Sequence, residues 1–490
     1  MKLKHIFLMA TIVVATKSTF AQYSSDALRF SQFSSSNTAR FDALGGTKTA
    51  IGGDLSSLYG NPAGLGMFSK SEFNFTPSIN LRNNDISFNG ASNSATNNNV
   101  DLNNLGVVFH SKTYKKDNLN KGLLSINFGI GYQKRSLFRN EFNFSGQSNL
   151  NGLSDFFTEN SNAERVNGGI PNPDNLTSEA NYAAYYSYLT DYQQNSYRNI
   201  TYADADQAYN FRRTGGNSEI DLSFGVNVSN NFFIGGGVGL SSLKYTSVET
   251  TNEKGSTNPA SGIDKDYNVD YTRNFDTEGS GVNFKLGFII KPVQELRIGL
   301  SAESPTWYSI TDKYSEELLE KINSYSGLDS YPFEYNLKTP FKLNGGLAYF
   351  IGTKGFISAD IGFVDYSSIT LSSETSTVDQ SNNNAISSSY KNVINYSVGG
   401  EYKLNEAFLL RLGYQSKGNP YRNLANSDFK KDIFSGGFGY RFGVYYFDMA
   451  LLNSNDKLYY SNYSLNNGNQ PIATVDTRKN SVSLTFGVRF

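Results

Sequence analysis

Apolar and polar residues alternate one by one along most of the chain after about residue 70. In DLSFGVNVS (221–229), every second residue is Leu, Phe or Val, and the residues between them are Ser, Gly and Asn. The same period of two recurs in GVNFKLGFII (281–290) and in QELRIGLSA (294–302). A period of two is the side-chain repeat of a β-strand with one apolar and one polar face. The pattern predicts an all-β protein built from half-polar strands.

The predicted strands differ in how they are connected. They lie near 72–82, 102–112, 122–137, 218–229, 232–249, 268–290, 294–304, 336–351, 355–372, 389–404, 407–416, 430–442, 445–460 and 475–490. Tight turns alternate with long connections, of which the largest covers about 138–217. Outer-membrane barrels have an even number of strands, short periplasmic turns and long extracellular loops. Residues 71–490 are therefore predicted to form a transmembrane antiparallel β-barrel of about 14 strands.

Both ends of the chain indicate export to the outer membrane of a bacterium. Lys2 and Lys4 precede an apolar run from Ile6 to about Ala15, and a small-residue cleavage site follows at Thr19-Phe20-Ala21, which predicts a signal peptide over 1–21. The last strand stops on Phe490. A terminal aromatic residue resembles the signal recognised by the barrel assembly machinery, which is therefore an expected partner. Outer-membrane lipid and lipopolysaccharide would surround such a barrel.

Composition removes several function classes. The chain has no cysteine, which excludes disulfide scaffolds and cysteine metal sites. A formal net charge of −1 argues against a nucleic-acid partner. Without the signal peptide, His110 is the one histidine left, and it is expected near the periplasmic end of the second strand. We therefore expect no enzyme activity, no cofactor and no metal site.

The stretch RFDALGGTKTAIGGDLSSLYGNPAGLG (40–66) has no clear period and is rich in glycine and other small residues. It precedes the first strand, and a barrel of this size is expected to enclose a lumen. Residues 22–70 are therefore predicted to form a plug, or hatch, inside the barrel. Within it, Asp54 is expected to cap a short helical turn through Tyr59, which Asn61-Pro62 then ends.

The motifs ALGG (43–46), AIGGD (50–54) and NPAGLG (61–66) resemble the N-terminal hatch of FadL-type outer-membrane transporters for long-chain fatty acids and other hydrophobic compounds. Residues 339–368 of the wall are also similar to that family. The resemblance implies uptake by passive, hatch-gated diffusion through a plugged 14-stranded barrel. It assigns the gate to Asn61, Pro62, Ala63 and Gly64, and it implies a lateral exit at a kink in the third strand.

Three further expectations concern particular residues of the wall and of one connection. Gly129 and Gly131 in the third strand are candidates for the kink, since interior glycines often mark bends; the alternative is that they are plain lumen-facing small residues. Lys285, Lys342 and Arg297 point into the lumen by parity and are candidates to bind a ligand carboxylate, or they are simply solvated. Residues 315–322 show a helical pattern within an extracellular connection.

Two other outer-membrane functions stay open at this stage, a general porin and a loop-based adhesin or receptor. A porin does not need a hatch, and an adhesin would keep its function without one. A monomer is expected because a closed barrel has no free strand edge. The identity of the hydrophobic compound is not set by the sequence.

Overall fold

The computed structural model describes residues 16–33, 37–113, 121–148, 151–202, 204–258, 262, 264–322, 325–424, 429–461 and 463–490. The helices are α1 Thr16–Ser31, α2 Ala39–Ala43, α3 Leu153–Ala163, α4 Glu179–Tyr186 and α5 Ser376–Ser389. The strands are β1 Glu72–Phe88, β2 Ala91–Lys112, β3 Leu123–Leu137, β4 Asn140–Gln147, β5 Thr190–Gln193, β6 Ser196–Asn199, β7 Asp206–Val228, β8 Phe232–Thr257, β9 Lys265–Ile290, β10 Leu296–Glu303, β11 Trp307–Glu320, β12 Ser326–Lys338, β13 Lys342–Ile351, β14 Gly355–Asp365, β15 Thr370–Ser372, β16 Asn392–Lys403, β17 Phe408–Lys417, β18 Lys431–Phe442, β19 Tyr445–Tyr460 and β20 Ala473–Arg489. Among the helices in these ranges, none is long and apolar enough to cross a membrane.

The strands form a closed antiparallel barrel, because neighbours pair in order and β20 pairs back onto β1. Four positions in the wall consist of two strand segments placed end to end, namely β3 with β4, β10 with β11, β13 with β12, and β14 with β15. The wall therefore has 14 positions, as the sequence predicts. Its outward side chains are exposed and apolar, such as Phe128, Leu222 and Leu412, whereas the alternate residues face inward. This arrangement explains the period of two.

The two ends of the barrel differ in the length of their connections. Short turns lie at the end of the barrel where β1 begins and β20 ends. At this end the backbone N–H of Phe490 donates to the carbonyl of Ser71 at 2.9 Å. By the rule for such barrels this is the periplasmic end. At the opposite end, α3 and α4 pack on Tyr267, Tyr271 and Leu318.

The prediction of a helix over 315–322 is wrong. Residues up to Glu320 belong to β11, which pairs with β9 on one side and with β12 on the other. β9 extends for 26 residues, so it offers a free edge beyond the membrane-spanning part of the wall. Backbone pairing to that edge outweighs the local helical preference of the sequence.

Residues 37–68, which we call the inner segment, lie inside the periplasmic half of the barrel, and most of their side chains are buried. Asp54 caps the 3-10 helix Leu55–Leu58 by accepting from the backbone N–H of Ser56 at 2.9 Å, as expected from the sequence. The 3-10 helix Pro62–Met67 follows. The preceding helix α1 buries Phe30 against Tyr245 in the lumen. Residues 1–15 of the predicted signal peptide lie outside the described residues, so the signal peptide stays a prediction.

Candidate functional site

The inner segment touches the wall backbone to backbone at several glycines. A Cβ atom added to Gly399 would lie 2.2 Å from the carbonyl oxygen of Leu44. One added to Gly413 would lie 2.0 Å from the backbone nitrogen of Gly45. Because real Cβ contacts are longer than this, only glycine permits the inner segment to pack so closely here. The inner segment is therefore seated tightly against β16 and β17.

The Asn61-Pro62-Ala63-Gly64 sequence packs against β7, β8 and β9. The Asn61 amide nitrogen donates to the carbonyl of Thr49 at 2.6 Å and to that of Phe288, in β9, at 3.2 Å. Its oxygen accepts from the backbone N–H of Ala63 at 3.1 Å and thereby caps the 3-10 helix. All four residues are buried. Asn61 thus joins two parts of the inner segment to the wall.

The wall is interrupted on one side, between β2 and β4. β3 pairs with β2 as far as the Asn104 and Gln133 pair, and the ladder between these strands ends there. β4 continues the same wall position but pairs with β7 and has no ladder to β2. Side chains bridge the interruption: the Asn97 amide donates to the carbonyl of Glu141 at 2.7 Å. Across the interruption, asparagine side chains take over from part of the backbone ladder.

The bend that causes this interruption lies at residues 134–140. The register of β3 against β7 shifts between Lys134 and Ser136. By contrast, the ladders on both sides of Gly129 and Gly131 are regular. The prediction of a kink at these two glycines is therefore wrong. They face the lumen, where an added Cβ would meet the side chain of Leu58 at 2.5 and 2.7 Å respectively.

The glycines that accommodate the bend are on the neighbouring strand β7. Gly215 has a φ of +92°, and its carbonyl accepts from the backbone N–H of Phe138 at 3.1 Å. A Cβ at Gly216 would lie 2.5 Å from the carbonyl oxygen of Ser136. The pair Gly215-Gly216 inside a predicted loop was the available sequence signal, and it was missed because that stretch was not assigned to a strand.

Aromatic side chains fill the lumen beside the interruption. Phe142 of β4 stacks on Phe211 of β7 with ring centroids 4.5 Å apart, and Tyr460 of β19 meets Phe211 at 4.9 Å. The buried aromatic residues of this cluster are Phe88, Phe142, Phe144, Tyr209 and Phe211. The interrupted part of the wall therefore borders a lumen lined by aromatic rings, with the Arg213–Glu249 ion pair beside them.

A network of ion pairs lies deeper in the lumen. Lys285 is bonded to Asp221 and, at 2.5 Å, to Glu219, while Lys342 lies 3.2 Å from Glu303. Arg135 joins the two halves because its guanidinium bonds both Glu219 and Glu303. Lys285 and Lys342 point inward as predicted, but each already has a carboxylate partner. The acidic members were not predicted, although the period of two also places Glu219 and Asp221 on the inner face of β7 and Glu303 on that of β10.

Arg297, the third predicted cation, lies apart from this network. Its Nη1 donates to the carbonyl of Ile51 in the inner segment, and its guanidinium carbon is 4.0 Å from the centroid of the Phe350 ring. It lines a cavity at the periplasmic end of the barrel. The structure therefore does not bring the three predicted cations together.

Comparison with known proteins places the chain in a family. The family described as outer membrane protein transport protein (OMPP1/FadL/TodX) matches residues 14–445, so the chain belongs to this family of bacterial outer-membrane proteins with a transport role. A FadL homologue of Pseudomonas aeruginosa shares the fold, with 12% sequence identity, a TM-score of 0.56 and coverage of 94% of this chain and 100% of that chain. The toluene transporter TodX of Pseudomonas putida is similar at 13% identity and a TM-score of 0.52, covering 94% and 99%. No curated protein sequence matches the chain.

Proposed function

We propose that the protein takes up hydrophobic compounds, long-chain fatty acids or similar molecules, by passive diffusion from the cell surface into the barrel. The inner segment acts as the hatch and blocks the periplasmic half. The ligand then leaves sideways at the start of the interruption, where the β2–β3 ladder ends beside the exposed apolar residues Val100 and Leu102 of β2. The observation that carries this proposal is the interrupted ladder, which borders the aromatic cluster around Phe142 and Phe211. A hydrophobic ligand on this path would meet aromatic rings up to the wall.

The hydrogen bonds across the interruption support this exit route. Asn93 donates to the carbonyl of Asn143 at 2.9 Å, and Asn97 donates to that of Glu141. These side chains leave their acceptors by rotation about side-chain bonds, whereas a strand ladder has to separate as a unit. The proposed opening therefore needs only a few side-chain rotations and a small movement of β4.

The carboxylate contacts for a fatty acid also stay a proposal. Lys285 and Lys342 are compensated by Asp221 and Glu303, so a ligand carboxylate would have to displace one of these. Removing a carboxylate partner from a buried cation is costly. The lumen therefore favours hydrophobic ligands without a charged group, such as aromatic hydrocarbons, over those that need a free cation midway through the barrel.

A disulfide across the interruption tests the lateral exit. The chain has no native cysteine, so the double variant Asn93→Cys with Asn143→Cys oxidises without competing pairs. The Nδ2 of Asn93 lies 2.6 Å from the Oδ1 of Asn143, and both side chains are exposed. In cells that lack their own transporter, uptake of labelled oleate and of toluene should fall to the background level on oxidation and return on reduction.

A second asparagine pair provides the matched control. Asn453 and Asn480 face each other in the intact ladder between β19 and β20, with a side-chain hydrogen bond of 2.7 Å. Oxidising cysteines at these two positions should leave uptake unchanged. Unchanged uptake in the oxidised Asn93/Asn143 variant would disprove the lateral exit.

Deletion of Asn61-Pro62-Ala63 tests the hatch and separates the alternatives. The proposal requires that saturable uptake of the hydrophobic ligand depend on this triplet, in variants that reach the outer membrane at equal levels. A general porin would instead give ohmic conductance for polar solutes with the intact chain. A loop-based adhesin would bind its target equally well after the deletion.

The proposal has three further parts. Phe490 is the signal for the barrel assembly machinery, the protein is a monomer, and its outer surface contacts lipopolysaccharide.

A further inference from the structure

A cavity of about 270 Å³ lies at the periplasmic end of the barrel, between the inner segment and the wall. Three of its lining side chains are cations, namely Arg40 of the inner segment, Lys291 of the turn after β9, and Arg297 of β10. None of the described lining residues is acidic. Asn230, in the turn between β7 and β8, also lines the cavity and is exposed, so the cavity reaches the periplasmic surface.

The positive charge of the cavity is only partly compensated. Arg40 pairs with Glu401, with 3.0 Å between Nε and Oε2. Arg297 and Lys291 have no carboxylate partner among the described residues, and the Nε of Arg297 is buried without a hydrogen-bond partner. Burial, followed by the charge of Arg297, lowers the pKa of Lys291 to about 8. Such a shift is the expected response of a lysine that is near another cation and lacks an anion.

Apolar side chains form part of the remaining wall of the cavity, beside Asn227, Asn230 and two glycines. The Lys291 ammonium lies 4.9 Å from the centroid of the Phe233 ring, and the Arg297 guanidinium lies over Phe350. Ile51 and Met67 contribute further apolar surface. A ligand that matches two uncompensated cations beside aromatic rings is an anion that carries an apolar group.

We propose that this cavity binds a small organic carboxylate, with its anionic group between Arg297 and Lys291 and its apolar part against Phe233 and Phe350. The guanidinium of Arg297 would donate charge-assisted hydrogen bonds to this carboxylate. The cavity lies close to the lower limit of roughly 300 Å³ for small-molecule pockets, which limits the ligand to a short molecule. This site goes beyond the proposed transport function, because it lies on the periplasmic side and away from the β2–β4 interruption.

Fluorine NMR on the purified protein in a non-ionic detergent tests the proposal without any transport step. The probe is 4-(4-fluorophenyl)butanoate, and its neutral primary amide is the comparison ligand. We expect saturable binding of the carboxylate and binding of the amide that is weaker by about tenfold or more, the usual effect of losing a charge-assisted hydrogen bond. Arg297→Gln and Lys291→Gln should each weaken carboxylate binding about tenfold and leave amide binding unchanged.

Lys354→Gln is the matched control, because Lys354 is an exposed lysine in another periplasmic turn and does not line the cavity. Its binding of the carboxylate should equal that of the wild type. Lys291→Glu reverses a charge in a turn and decides the question if Arg297→Gln does not fold. Equal binding of acid and amide, absence of saturable binding, or wild-type affinity in Lys291→Glu would each overturn the proposal.

Discussion

The wall of this barrel differs between its two sides. From β16 to β20 every strand pairs with the next by a backbone ladder, and the β19–β20 ladder runs without a shift from Tyr445 to Tyr460. Between β2 and β4 the ladder is replaced by asparagine side chains such as Asn97. A backbone ladder is cooperative, whereas a side-chain hydrogen bond contributes only about 1 kcal/mol net and acts alone. The wall is therefore held by backbone ladders on one side and by single side-chain hydrogen bonds on the other.

The ion pairs of the two sides allow the sharpest test of this difference. Arg135, within the bend, bonds Glu219 and Glu303. We expect Arg135→Met to lower the free energy of unfolding by about 3–5 kcal/mol, because it leaves buried carboxylates with less compensation. It should also change the rate of hydrophobic uptake, since the bend loses its anchor to β7 and β10. Denaturant titration in liposomes and cellular uptake measure the two effects.

Arg411→Met is the counterpart on the continuous side. Arg411 is fully buried and pairs with Glu401 at 2.7 Å and Asp448 at 2.6 Å. The loss of unfolding free energy should be similar, at about 3–5 kcal/mol, but uptake by the correctly folded fraction should stay at the wild-type rate. If both variants changed uptake equally, the two sides of the wall would not differ in function.

The seat of the inner segment provides a smaller effect. Gly399→Val places a side chain where the carbonyl of Leu44 now lies, so the inner segment has to move. Overpacking of this kind costs about 1–3 kcal/mol, and the displaced segment should raise the conductance of the barrel for polar solutes in planar bilayers.

Gly400→Val is the neighbouring control for that prediction. A Cβ at Gly400 would lie 3.5 Å from the carbonyl oxygen of Phe356, which is an ordinary contact, and the inner segment is not among its neighbours. The conductance of this variant should match that of the wild type. Raised conductance in Gly400→Val as well would indicate a general weakening of β16 instead of a displaced inner segment.

The continuous side was readily predicted from the sequence, and the interrupted side was not. Strands such as 431–442 and 445–460 have one lipid-facing and one inward face, so their period of two is clear. Beyond the membrane both faces are polar, as in residues 91–99 of β2, and the period disappears. The strands observed there are accordingly longer than predicted. The caps at Asp54 and Asn61 are local interactions, which explains why the short turns of the inner segment were predictable.

The bend and the ion network depend on contacts that no local pattern encodes. The bend lies in KRSLFRN (134–140), which contains neither glycine nor proline, and it is accommodated by Gly215 across the ladder. Lys285 was correctly placed in the lumen by parity, but its partner Asp221 lies on a different strand, 64 residues away. Pairing between distant residues decides whether a lumen cation is free or compensated, and the sequence alone does not reveal it.

The smallest effect is expected at the interruption itself. Asn97→Ala removes one hydrogen bond to the backbone of β4, so the free energy of unfolding should fall by only about 1 kcal/mol. The proposed exit should nevertheless open more easily, and saturating uptake of a hydrophobic probe should become faster. Asn453→Ala removes a comparable side-chain bond where the backbone ladder is intact, and its uptake should not change. A bond that closes the exit must affect uptake more than a bond that lies beside an intact ladder. An uptake rate that stayed constant in Asn97→Ala, or rose equally in both variants, would therefore mean that the asparagine bridges do not limit the exit.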